Sequence, residues 1–85
     1  MTDLPSLVTA AQQCASLFRL GRDIEAALQM VELFDGAMPL MAERSAADQQ
    51  YGTQLLERML DCQQAQNWLA LADYLEYEWV EFLRG

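Results

Sequence analysis

The sequence of 85 residues contains no histidine, and its five basic residues are all arginine, so it contains no lysine either. Histidine is the side chain used most often as a general acid or base near neutral pH, and lysine is the usual Schiff-base nucleophile. Glycine-rich phosphate-binding loops and calcium-binding loops of alternating Asp and Asn are also missing. Because the main sources of catalytic chemistry are absent, the chain is not expected to be an enzyme or to bind a cofactor.

The sequence has only two cysteines, Cys14 and Cys62, which lie far apart along the chain. Two such cysteines form neither a zinc site nor the dense disulfide framework of a small secreted protein. The N-terminal sequence MTDLPSL lacks the basic segment and long apolar segment of a secretory signal. No apolar run approaches the roughly 20 residues that a membrane span needs. The sequence therefore predicts a cytoplasmic protein with reduced thiols, no bound metal and no membrane partner.

Positive charge is scarce, because 13 acidic residues outnumber the five arginines and give a formal net charge of −8. Such a chain is repelled by the phosphates of nucleic acids and by anionic lipid headgroups. It attracts a basic protein partner. No nucleic-acid partner is therefore expected. The alternative role of the charge is to keep a small hydrophobic protein in solution.

Hydrophobic residues are abundant, at 53% of the chain. A chain of this length forms one domain, here residues 1–85, and a small domain has a large surface relative to its core. Part of the apolar surface is therefore expected to contact a partner or a second copy. The alternative is that a small helical bundle simply uses much alanine and leucine.

Residues 4–20 have the apolar spacing of an amphipathic helix. We expect this helix to run from about Leu4 to about Leu20, with Asp3 or Thr2 as its N-cap and Gly21 as its end. The side facing the core is predicted to be Leu4, Leu7, Val8, Ala11, Cys14, Ala15 and Phe18. The opposite side is polar and uncharged, which suits packing against a second copy, and consists of Thr9, Gln12, Gln13 and Ser16.

A second helix is predicted from about Arg22 to Phe34. Its core-facing residues are expected to be Ile24, Ala27, Leu28, Met30, Val31 and Phe34. Pro39 disturbs the pattern that follows, because proline lacks the backbone N–H that a helix interior needs. Residues 36–44 are predicted to form either a short separate helix or a kinked extension of the second one.

Two further segments have helical spacing. The third helix is predicted to begin with a cap near Ser45. Its Gly52 could let another helix approach closely. Its apolar side is predicted to be Leu55, Leu56, Met59, Leu60 and Cys62, with Tyr51 at the edge. The fourth helix follows Asn67 and is predicted to run from about Trp68 to Leu83. It should form the centre of the core. Its core-facing residues are expected to be Trp68, Leu71, Ala72, Leu75, Trp79, Phe82 and Leu83.

These patterns predict an all-α protein. Short links between the helices favour antiparallel neighbours. We expect a small antiparallel bundle of three long helices, with a fourth short helix near residues 37–44 if that segment folds separately.

The predicted binding site is the outer face of the last helix, where aromatic, aliphatic and acidic side chains combine. It consists of Leu69, Asp73, Glu76, Tyr77, Val80 and Glu81. This mixture suits a partner segment that is both basic and apolar. The alternative is a solvated acidic face with a few exposed apolar residues.

Residues 21–33, with the sequence GRDIEAALQMVEL, resemble the second helix of a tetratricopeptide repeat. The matching positions are Gly21, Ala26, Met30 and Leu33. The preceding helix departs from the repeat at three positions where that family has large side chains or glycine, namely Ala10, Gln13 and Cys14. The resemblance implies a helical hairpin that binds a peptide or a protein.

In size and charge the chain also resembles the small acidic helical chaperones of bacterial secretion systems. The leading hypothesis is a non-enzymatic protein-binding module, an adaptor or small secretion-type chaperone that shields an apolar or basic helix of a partner. One alternative is an acidic inhibitor that occupies a basic site, as a toxin-neutralising protein or nucleic-acid mimic does. Another is a self-assembling structural dimer.

Overall fold

The computed structural model describes residues 3–85, which fold into four helices and no strand. They are α1 (Leu4–Arg19), α2 (Asp23–Ala42), α3 (Ala46–Gln64) and α4, which continues from Trp68–Asp73 through a π-helical segment at Tyr74–Trp79 to Val80–Arg84. The prediction of an all-α small bundle is confirmed. The predicted count of three long helices is too low, because each of the four patterned segments forms a helix of its own.

The ends of α1 follow from two local interactions. The carboxylate of Asp3 accepts a hydrogen bond from the backbone N–H of Ser6 at 3.0 Å, and hydrogen bonding to Ser6 lowers the pKa of Asp3. Gly21 has a φ of 78°, a left-handed conformation that favours glycine and ends the helix. Asp3 and Gly21 therefore act as predicted, and the alternative cap Thr2 lies outside the described residues.

Side-chain caps also begin α3 and α4. The Ser45 hydroxyl accepts a hydrogen bond from the backbone N–H of Asp48 at 3.2 Å. The side chain of Asn67 accepts one from the backbone N–H of Ala70 at 3.4 Å. Both caps confirm the starts that the sequence predicts, because polar side chains at these positions satisfy N–H groups that have no partner within the helix.

Of the two alternatives predicted around Pro39, the extension of the second helix is the one observed, and the short separate helix near residues 37–44 does not form. Instead α2 continues through Pro39 and ends at Ala42. The proline removes one hydrogen bond from the helix. Ala37 and Met41, on either side of it, are both buried, and their packing holds the second half of α2 in place.

The link between α2 and α3 is fastened by two side chains. Gln49 Nε2 donates to the carbonyl oxygens of Ala42 and Arg44, at 3.3 and 2.9 Å. The Arg44 guanidinium donates to the carbonyls of Phe82 and Leu83 and lies 4.8 Å from the centre of the Phe82 ring. These bonds supply donors to the Ala42 carbonyl at the end of α2 and attach the link to the end of α4, where the Phe82 carbonyl also accepts from the backbone N–H of Gly85 at 3.3 Å.

The core is built chiefly on α1 and α4. Every predicted core residue of α1 from Leu7 onward is buried, and so is every one of α4 from Leu71 onward. Leu4 and Trp68, the first residue of each stripe, are half-buried and pack against this core. The Trp79 ring lies 5.3 Å from Phe34 and 5.6 Å from Phe82, measured between ring centres. Both predicted stripes are therefore confirmed.

The third helix confirms one prediction and corrects another. A Cβ atom added at Gly52 would lie 2.7 Å from Phe82 Cζ and 2.8 Å from Met41 Cε, so Gly52 does allow the close approach expected of it. Leu60, predicted to face the core, is instead exposed. The core-facing part of α3 is a narrow strip, and Leu60 lies outside it.

The predicted core side of α2 is wrong for Ile24, Leu28 and Val31, which are all exposed. The residues that face the core form a second apolar stripe on the other side of α2, consisting of Ala26, Met30, Leu33, Ala37 and Met41. Its alanines bring the α2 backbone close to α1, and the Cys14 thiol donates a hydrogen bond to the Ala26 carbonyl at 3.2 Å. Close packing of small residues therefore decides which stripe is buried.

Candidate partner-binding faces

The predicted α4 face is only partly present in the structure. Leu69, Tyr77 and Glu81 are exposed as expected, but Val80 is only 4% exposed and belongs to the core. The reason is the π-helical segment Tyr74–Trp79, whose turn contains more residues than the 3.6 of an α-helix. The wider turn rotates the following residues and moves Val80 inward.

Two carboxylates of the α4 face are already paired with α1. Arg19 Nη2 lies 2.7 Å from the Asp73 carboxylate, and Arg19 Nη1 lies 3.0 Å from that of Glu76. The hydrogen bond to Asp73 raises the pKa of the Arg19 guanidinium, and hydrogen bonding to Glu76 raises the pKa of the Tyr77 hydroxyl. The α4 face therefore offers less free negative charge than the sequence suggests.

An open groove of 390 Å³ separates α1 from the α4 face. Its lining includes the arginine side chain of Arg84 as well as acidic and aromatic groups, namely Gln12, Glu76, Tyr77, Val80, Glu81 and Arg84. Charges of both signs in its lining make this groove a weak match for an apolar helix.

The uncharged face of α1 is exposed at Thr9, Gln12, Gln13 and Ser16, as the sequence predicts. The Ser16 hydroxyl donates to the carbonyl of Gln12 at 3.2 Å. The face presents polar groups without a large apolar side chain, so it has little to bury against a second copy.

A mostly apolar face lies on α2, on the side away from the core. We call it the α2 seam, defined by six residues that are all exposed: Ile24, Leu28, Val31, Asp35, Met38 and Ala42. Ile24 is 75% exposed and Leu28 is 66% exposed. The seam thus leaves large aliphatic side chains in water along the first half of α2, and Met38 adds an exposed thioether side chain in the second half.

The spacing of the α2 seam is that of a coiled coil. Successive seam residues are separated by four, three, four, three and four positions, the alternation of the a and d positions in a heptad repeat. With Ile24 at d, the a positions are Leu28, Asp35 and Ala42. Residues with this spacing form one line that faces a single neighbouring helix.

Charge is distributed unevenly around the α2 seam. Glu25 and Glu32 occupy e positions along one edge and are exposed. Ala27 and Phe34 occupy g positions along the other edge and are half-buried. All four charged residues within α2 are acidic, so the seam is an apolar line with negative charge on one side.

The sequence contained a signal for this face. Asp35 falls on the same line as Leu28 and Val31, and a carboxylate is rarely buried without a partner. That signal favours exposure of the whole line and burial of the opposite stripe.

The two thiols differ in their surroundings. Cys14 is fully buried, and burial raises its pKa to about 11, as expected of an inert core cysteine. Cys62 is half-buried. Among residues 3–85, no three metal-ligating side chains come together. Within the same range no helix combines the length and the apolar character needed to cross a membrane.

No protein-family model, curated protein or solved structure shows a significant match to this chain. The resemblance of residues 21–33 to a tetratricopeptide repeat therefore gains no support from these comparisons. The fold alone does not specify a function, because one fold can carry many kinds of site.

Proposed function

We propose that this chain is a non-catalytic protein-binding module, an adaptor or small chaperone, whose α2 seam receives one amphipathic helix of another protein. The observation that carries the proposal is the exposed line of apolar side chains at coiled-coil spacing along α2. A line of this kind on a folded protein is stabilised when a second helix covers it.

Charge indicates the chemistry of the partner helix. The carboxylates of Glu25 and Glu32 flank the seam, and the chain as a whole carries a net charge of −8. A helix with apolar a and d positions and lysine or arginine beside them would therefore be attracted over a distance and paired on contact.

A second copy of the chain is a poorer occupant of the same surface. Pairing two α2 seams would bring the acidic residues of both copies together, without an arginine within α2 to offset them. Like charges that face each other across an interface oppose association. The charge pattern thus favours a different protein over self-assembly.

The proposal includes the expected cytoplasmic location. Its support is that both cysteines are free thiols, since oxidising compartments favour disulfides.

The test uses a designed peptide of three heptads with leucine at a and d and lysine at e and g. Its affinity for the protein is measured by fluorescence anisotropy. Leu28→Ala removes part of the seam and should weaken binding about tenfold or more, because the peptide no longer buries a leucine there. Leu69→Ala is the matched control, since Leu28 and Leu69 are both 66% exposed. The Leu69→Ala protein should bind the peptide as tightly as the wild type does.

Two further peptides separate this function from the alternatives. A peptide with the same lysines but alanine at a and d should bind at least about tenfold more weakly, because it cannot cover the seam. Equal binding of both peptides that disappears in high salt would instead support the acidic inhibitor. A peptide with leucine at a and d and glutamate at e and g should bind weakly. If it binds as tightly as the lysine peptide, charge does not select the partner helix. If Leu28→Ala and Leu69→Ala bind the lysine peptide equally, the α2 seam is not its site.

A further inference from the structure

Asp35 is the one charged residue within the α2 seam. It is exposed at an a position between Val31 and Met38, which are themselves exposed. Its neighbours on the line are aliphatic or thioether side chains. The seam is therefore an apolar surface with one carboxylate set into it.

The backbone at Asp35 adds a second acceptor. In an α-helix the carbonyl of Asp35 would accept a hydrogen bond from the N–H of residue 39. That residue is Pro39, inside α2, and proline has no N–H to donate. The Asp35 carbonyl therefore lacks its usual helical donor, and the Asp35 carboxylate makes no side-chain hydrogen bond or ion pair among the described residues.

A helix lying on the seam removes water from Asp35. Covering a carboxylate with apolar side chains is unfavourable, because the charge loses its hydration and gains no partner. An arginine or lysine on the partner at that point restores a charged hydrogen bond. A single polar residue at an a position is also known to fix the register of paired helices.

We infer that Asp35 is the specificity-determining residue of the α2 seam, and that it selects partner helices with an arginine or lysine at the facing position. Asp35 weakens the binding of partner helices whose residues facing the seam are all apolar. This inference rests on the proposed function, because it concerns which helix the seam accepts.

Two peptides and three proteins test the inference. Both peptides carry leucine at a and d and lysine at e and g, except that the central a position is arginine in one and stays leucine in the other. Their dissociation constants are measured for the wild-type protein, for Asp35→Leu and for Asp35→Asn. Asp35 is exposed, so the thermal melting of each variant should match that of the wild type.

Wild-type protein should bind the arginine peptide about tenfold more tightly than the leucine peptide. Asp35→Leu should reverse this preference. Asp35→Asn, which keeps the shape and removes the charge, should lose most of the preference, and it provides the same comparison if Asp35→Leu aggregates.

The two proposals fail in different ways. If the peptides bind and the ratio of their affinities is the same in all three proteins, Asp35 does not select the partner although the seam still binds helices. If neither peptide binds wild-type protein or either variant, the proposed function is wrong and the inference about Asp35 falls with it.

Discussion

The two apolar stripes of α2 invite comparison because they lie on one helix and differ in what covers them. The inner stripe includes Ala26, Met30 and Leu33 and packs in the core. The outer stripe, the α2 seam, includes Ile24 and Leu28 and is exposed to water. Helical periodicity is similar in both, so periodicity alone does not decide which stripe is buried.

The difference shows how close packing and charge make that choice. The inner stripe has alanines where α2 approaches α1, and the Cys14 thiol reaches the Ala26 carbonyl at 3.2 Å. The outer stripe has larger side chains and one carboxylate, Asp35. A surface with small residues can be packed within the chain, whereas a surface with a charge in its line stays in water unless something that matches the charge covers it.

The largest expected effect contrasts one leucine from each stripe. Leu33→Ala should lower the free energy of unfolding by about 2–5 kcal/mol, because it leaves a cavity in the core. Leu28→Ala should change it by less than about 0.5 kcal/mol, since the side chain is exposed. Chemical denaturation of both variants measures the contrast. Equal losses of stability would mean that the inner and outer stripes are assigned wrongly.

A smaller effect concerns the thiol that packs against the inner stripe. Burial raises the pKa of Cys14 from 9.0 to about 11, so between these values the unfolded chain releases a proton that the folded chain keeps. The protonated Cys14 thiol therefore contributes its full share of the free energy of unfolding below pH 9.0. That share is lost at about 1.4 kcal/mol per pH unit as the pH approaches 11. Denaturation at several pH values measures this slope.

Variants of the two cysteines provide the control for that slope. Cys14→Ala should flatten the dependence of stability on pH. Cys62→Ala, in which the half-buried thiol is removed instead, should keep it. A slope that survives Cys14→Ala would show that another group causes it.

The smallest effect is expected for Arg19→Ala, a variant that distinguishes binding at the α2 seam from binding at the α4 face. Arg19→Ala breaks the ion pairs to Asp73 and Glu76, which are partly exposed to solvent and should contribute at most about 1 kcal/mol to stability. It also frees both carboxylates for a basic ligand. If the lysine peptide binds the α2 seam, its affinity should be nearly unchanged. A clear gain in affinity would place it on the α4 face.

Much of this fold could be predicted from the sequence where a single apolar stripe was present. The core sides of α1 and α4, the cap at Asp3 and the end at Gly21 all follow from local chemistry and spacing. The predictions failed on α2, where two stripes compete. At Pro39 the sequence left a separate helix and an extension of α2 open, and the extension forms because packing of the neighbouring residues outweighs the loss of one hydrogen bond.

The candidate site was harder to predict than the fold. Val80 was misplaced because no pattern in the sequence indicates the π-helical segment before it. The pairing of Arg19 with Asp73 joins residues of different helices, so helical spacing within α4 could not reveal it. The apolar spacing of the α2 seam was visible in the sequence. The packing of the other helices shows that no part of the chain within residues 3–85 covers the seam.

The most direct test is to map the lysine peptide onto the protein by two-dimensional ¹H–¹⁵N NMR. The backbone amide shifts are compared with and without peptide, using protein of unchanged sequence. The account predicts that the largest shifts lie on α2 between Ile24 and Met38, with little change around Leu69 and Tyr77. Shifts concentrated at Leu69 and Tyr77, with α2 unaffected, would contradict it.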